Sequence, residues 1–134
     1  MKKFILAIDF DGTVATDSFP EVGSLIKDAD TVIRKFHEDG HDIIINTCRT
    51  GKYEGLAEYF LKKNNIPFHY INSNLPRVID FYKQDCRKIS ADYYIDNRNI
   101  GGLPSWKEIY KIISKDAKAE GTETTMDVAK KASK

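Results

Sequence analysis

Between Phe4 and Phe10 the chain is apolar at every position except Asp9. The run is too short to span a bilayer, which takes about 20 apolar residues. It also lacks the alternation of a half-exposed strand. It reads as a strand covered on both faces, the kind found in parallel sheets. Lys2-Lys3 ahead of it gives the opening of a leader-like pattern, but Asp9 and Asp11 break the apolar run too early for one. A strand that must be covered on both faces demands helices, and the rest of the chain supplies them.

A polar loop is expected from Asp11-Gly12 to about Gly23. Ser24 then reads as the N-cap of a helix carrying Leu25, Ile26, Ala29, Val32, Ile33 and Phe36 at helical spacing. Gly40 stands where a helix would end. Ile43-Ile44-Ile45 is a β-branched triplet that predicts a central strand ending at Asn46-Thr47. Helical spacing returns over 53–65, followed by a short strand over 68–71 and one or two helical turns over 76–82 with Pro76 at the first position. A strand over 91–95 ends at Asp96-Asn97, and Ser105 with Glu108 forms a capping box for a helix through Ile113. Trp106 falls on its apolar face and is expected in the core.

Strands alternating with helices predict an α/β fold: a Rossmann-like three-layer α/β/α sandwich with a mainly parallel sheet. In such folds ligands bind beyond the carboxyl ends of the strands, where Asp9, Asp11, Thr47 and Asp96 fall. The 134 residues suffice for one domain, read as a core over 1–115 with a polar tail or frayed helix over 116–134. Basic residues number 21 and acidic residues 20, so no strong charge points to nucleic acid or an anionic membrane. Cys48 and Cys86 make no disulfide framework or metal spacing, and a cytoplasmic location is expected.

The chemistry concentrates in Asp9-Phe10-Asp11-Gly12-Thr13. Carboxylates two residues apart at a strand end point to the same side. Burying both is costly unless a cation compensates, and a hard ion such as Mg²⁺ suits carboxylate and carbonyl oxygens. Gly12 permits the turn and the close approach of a ligand.

This motif after an apolar strand resembles the signature of the haloacid dehalogenase-like phosphohydrolases. The resemblance implies that Asp9 is the nucleophile forming an aspartyl phosphate. It implies that Asp11 is the general acid and base, its backbone carbonyl contributing to the Mg²⁺ site. Thr47 matches the family's second motif and would bind a phosphoryl oxygen, helped by the Cys48 amide. Arg49 is either a further phosphate contact or a surface arginine. Lys88, with Lys83 and Arg87 as competitors, would shield the charge on the phosphoryl group. Asp96 matches the last motif's metal ligand, while Asn97 stands where the family often has a second acid. Asp92, at the wrong end of its strand, reads as a solvated turn residue.

Too few residues separate the motifs for a cap domain, so at most a short flap over 14–23 is expected, with Phe19 packed on the core. The site would stay open unless a second subunit of a homo-oligomer covers it. It would suit a phosphorylated small molecule, such as a nucleotide, or a phosphate-bearing macromolecular end. Two other readings stay open: a degenerate scaffold that kept the fold, and a receiver-like phosphoacceptor domain.

Overall fold

The computed structural model describes residues 1–133. Its centre is a four-stranded parallel sheet in the order β5-β4-β1-β6. β1 (Ile5–Ile8) lies in the middle, with Ile5 to Ile8 paired to Asp42 to Ile45 of β4 (Asp42–Ile45). On its other side Leu6 to Ile8 pair with Tyr93 to Ile95 of β6 (Tyr93–Ile95). The short β5 (Tyr70–Ile71) closes the far edge against β4. All four residues of β1 are buried, as expected of a strand covered on both faces.

The two faces divide the core. Phe4, Leu6 and Ile8 point to a large cluster built with α1 (Ala29–Glu38), α2 (Gly51–Lys63) and α4 (Trp106–Lys118). Ile5, Ala7 and Ile44 point the other way, against α3 (Pro76–Tyr82), Ile89 and α5 (Thr125–Ala132). Each fully buried Leu, Ile or Phe contributes roughly 1.5–3 kcal/mol, so the alternation along β1 holds both helix layers to one strand. This is the three-layer α/β arrangement expected. No helix among the described residues is long and apolar enough to cross a membrane.

Three local expectations are corrected. The segment after Gly12 is a hairpin, β2 (Ala15–Ser18) against β3 (Glu21–Leu25). Ser24 therefore lies in a strand, its amide donating to Thr16 Oγ1 at 2.8 Å, and α1 starts only at Ala29. The apolar residues that suggested an earlier helix start, Leu25 and Ile26, pack on the large cluster from the hairpin and its exit. Gly23 allows the two strands to meet this closely, since a Cβ there would lie 2.1 Å from Thr16 Oγ1.

The polar segment after residue 116 is also more ordered than its composition suggests. α4 runs to Lys118 and α5 follows, capped by a reciprocal box between Thr124 and Asp127. Met126, its one buried residue, enters the second cluster. Finally, Asp92 is no solvated turn residue. Its carboxylate accepts the Ile5 amide at 2.7 Å and the Thr125 amide at 2.6 Å, joining β1 to the start of α5.

Candidate active site

The chain runs from β1 outward to β4 and β5, then returns to β6 on the opposite side of β1. Such a reversal leaves a crevice beyond the carboxyl ends of the strands. An open cleft of about 470 Å³ lies there, with Asp9, Asp11, Thr47 and Asp96 on its walls. Side chains from the ends of β1, β4 and β6 thus meet in one place. Cys48, Arg49 and Arg98 line the same cleft, and the hairpin contributes Asp17 and Phe19.

Asp9 follows the last residue of β1, and its amide donates to Ile95 O at 2.9 Å, which fixes it beside β6. Its carboxyl is pushed up from 3.8 to about 6. Burial is the largest cause, followed by the Asp96 carboxylate and, to a smaller extent, Asp11. Hydrogen bonds from the Thr13 hydroxyl, at 3.1 Å, and from the Phe10 backbone oppose the rise. Thr13 is fully buried, and its carbonyl accepts the Trp106 indole N–H at 2.9 Å. The Asn97 amide donates to its hydroxyl at 3.1 Å. Asn97 also lies directly over Gly12, where a Cβ would stand 2.3 Å from its Nδ2 and where φ is +84°. Asn97 is therefore packed against the Asp9–Thr13 segment.

Arg49 is neither a surface residue nor a free phosphate ligand. It is 1% exposed. Its Nε and Nη2 form a fork on Asp11, at 2.7 and 2.8 Å. Nη2 also donates to Glu21 O at 2.8 Å, and Nη1 to Pro20 O at 3.0 Å and Tyr53 O at 3.3 Å. A guanidinium has five N–H donors, so Arg49 has none left for a phosphate. The alternative reading of Arg49 as a surface arginine is corrected by this burial. What it does is tie Asp11 to the backbone of the hairpin. Phe19, expected in the core, is 55% exposed and rests beside Tyr53 and over the Arg49 guanidinium, 5.1 Å from its ring centre.

The Thr47 hydroxyl accepts the Arg49 amide at 3.1 Å, which leaves its hydrogen to donate. Asn72, which sequence reasoning did not single out, shapes this loop. Its Oδ1 accepts the Thr47 amide at 2.8 Å and its Nδ2 donates to Arg49 O at 3.3 Å. Its positive φ of 55° in the exit from β5 is a conformation asparagine tolerates, the one sequence clue it carries. Lys88 does not line the cleft. Its Nζ stands 5.1 Å from the centre of the Tyr94 ring. The imidazoles of His41 and His69 each accept a backbone amide, from Phe4 and Ile43, and serve the sheet.

Among the described residues no three His, Cys, Asp or Glu side chains form a ready metal cage. Two carboxylates, Asp9 and Asp96, nonetheless repel each other at the cleft. A divalent cation would relieve that repulsion. With the Asp11 carboxylate engaged by Arg49, the side-chain donors left for such an ion are the carboxylates of Asp9 and Asp96. Few protein oxygens with several retained waters is the manner in which Mg²⁺ binds.

The fold and cleft define a small α/β domain of the parallel-sheet, doubly wound class, with an acidic site at its switch point. A solved structure described as a conserved protein coded by a locus from Bacteroides thetaiotaomicron is similar to it, at 28% identity and a TM-score of 0.79. The likeness covers 95% of this chain and 98% of that one. No protein-family model and no curated protein matches the chain.

Proposed function

We propose that this chain is a Mg²⁺-dependent phosphomonoesterase that works through an aspartyl phosphate on Asp9. The observation that carries the reading is the pair Asp9 and Asp96, two like charges brought together at the carboxyl ends of adjacent central strands. Such repulsion weakens the fold, and a carboxylate perturbed by burial and a like charge in a cleft is a functional-site candidate. Asp9 and Asp96, with the Asp11 carbonyl, would hold Mg²⁺, which when bound offsets the charge of the phosphoryl oxygens.

Asp9, ionised above a pKa of about 6, attacks phosphorus, and the ester P–O bond breaks. Once out of the Arg49 fork, Asp11 takes up a proton from solvent, gives it to the departing oxygen, and then takes one from the water that cleaves the aspartyl phosphate. Thr47 donates its hydroxyl hydrogen to a phosphoryl oxygen. The Arg49 fork occupies both Asp11 oxygens, so proton transfer by Asp11 requires that fork to open. Because Arg49 also holds the carbonyls of Pro20 and Glu21, freeing Asp11 and loosening the hairpin are one event.

The test is hydrolysis of an aryl phosphate by wild type and Asp9→Asn, with and without Mg²⁺. Turnover that requires Mg²⁺ and disappears in Asp9→Asn supports the reading. Mg²⁺ binding without turnover on any phosphomonoester would sink it in favour of a scaffold, and a stable aspartyl phosphate in favour of a receiver-like domain.

A further inference from the structure

The cleft holds two guanidinium groups, and they are not equivalent. All five donors of Arg49 are spent on Asp11 and three carbonyls. Arg98 lines the same cleft, and its guanidinium has no hydrogen-bond or ion-pair partner among the described residues. Its root is nevertheless firmly held. The Arg98 amide donates to Asp96 Oδ1 at 2.8 Å, and the neighbouring Asn97 amide donates to Thr13 Oγ1 at 3.1 Å. Thr13 in turn donates to Asp9 Oδ2 at 3.1 Å. The backbone that carries Arg98 is thus connected to the proposed nucleophile by a short hydrogen-bond chain, while its side chain is left exposed.

Charge sharpens the distinction. Asp11 is neutralised by Arg49, and the charges of Asp9 and Asp96 would be offset by one divalent cation. A phosphomonoester dianion entering the cleft brings further negative charge that these pairs do not balance. Among the described residues Arg98 is the remaining cation on the cleft wall, and a guanidinium can take two phosphate oxygens at once. Lys88, the cation expected from sequence, lies against the Tyr94 ring instead.

Resting on the phosphatase reading above, we infer that Arg98 is the residue that binds the phosphate group of the substrate. It acts in place of Lys88, reaching the phosphate from the turn after β6.

The experiment titrates inorganic phosphate into Mg²⁺-supplemented wild type, Arg98→Gln, Arg98→Lys and Lys88→Ala, with steady-state aryl phosphate hydrolysis in parallel. Arg98→Gln weakens phosphate binding and raises KM by about ten- to a hundredfold, the range of a lost hydrogen bond to a charged group. Arg98→Lys recovers part of the loss. The exposed position and the retained backbone amide keep the melting temperature at the wild-type value. If wild type turns over and binds phosphate while Arg98→Gln does both within twofold, the Arg98 assignment is overturned and the phosphatase reading survives. Loss of phosphate binding in Lys88→Ala with retention in Arg98→Gln overturns it in favour of the lysine. Wild type with neither Mg²⁺-dependent turnover nor phosphate binding overturns both.

Discussion

Asp9 is held in a position that costs the fold stability. Its carboxyl is pushed up to about 6 in the folded chain, against an ordinary 3.8. The folded state therefore binds this proton more tightly, and the associated stabilisation is complete below pH 3.8 and lost as pH rises through 6. At neutral pH the ionised group is a net burden. Asp9→Asn, free of Mg²⁺, is expected to melt higher than wild type at pH 7.5, by roughly 1 kcal/mol once partial exposure is allowed for. The difference shrinks toward pH 4, and thermal melts across that range check it. Arg49 is the opposite case, since removing it strands Asp11 and three carbonyls at once. Arg49→Met is expected to lose about 3 kcal/mol in urea unfolding. Arg49→Lys recovers little, because an ammonium cannot reproduce the fork. Asp9 and Asp11 were legible from their spacing and from the strand before them. The burial of Arg49 was not, because its partners lie 38 positions upstream in Asp11 and in the hairpin backbone.

At the level of elements, the hairpin and α5 depart most from the sequence reading. Their apolar residues are too few and too irregular for periodicity to be decisive. The hairpin reaches the main core through Ala15, Val22 and Leu25 alone, and Arg49 holds the carbonyls of Pro20 and Glu21. Amide exchange in 15–25 is accordingly expected to quicken in Arg49→Met well before the sheet opens. For α5 the anchors are Met126, the cap at Thr124 and the Asp92 carboxylate that serves β1 and α5 together. Asp92→Ala leaves two amides without acceptors and is expected to cost about 1–3 kcal/mol in urea unfolding, with α5 amides losing protection first. Asp92→Asn, which keeps one oxygen, loses less.

Over the whole molecule, the acidic cleft couples ligand binding to stability. A ligand that binds only the folded chain adds stability by mass action, about 2.7 kcal/mol at a hundred times its Kd. Mg²⁺ is therefore expected to raise the melting temperature of wild type and to have much less effect on Asp9→Asn, in which one of two carboxylate donors is lost. The two proteins then reverse their order of stability on adding Mg²⁺. Equal shifts in both would show that the ion binds elsewhere.

The sequence by itself determined the parallel α/β architecture, because an apolar run as short as Phe4–Phe10 can be buried on both faces only between helix layers. It also determined that Asp9, Asp11, Thr47 and Asp96 meet at the strand ends, because each follows an apolar segment. The tertiary structure alone decided which cations face the site. Arg49, Lys88 and Arg98 are all long cations beside candidate motifs, yet one is buried in a fork, one rests on a tyrosine ring and one stands free in the cleft. A long charged side chain goes where its donors are satisfied, and those partners come from segments that local spacing does not bring together.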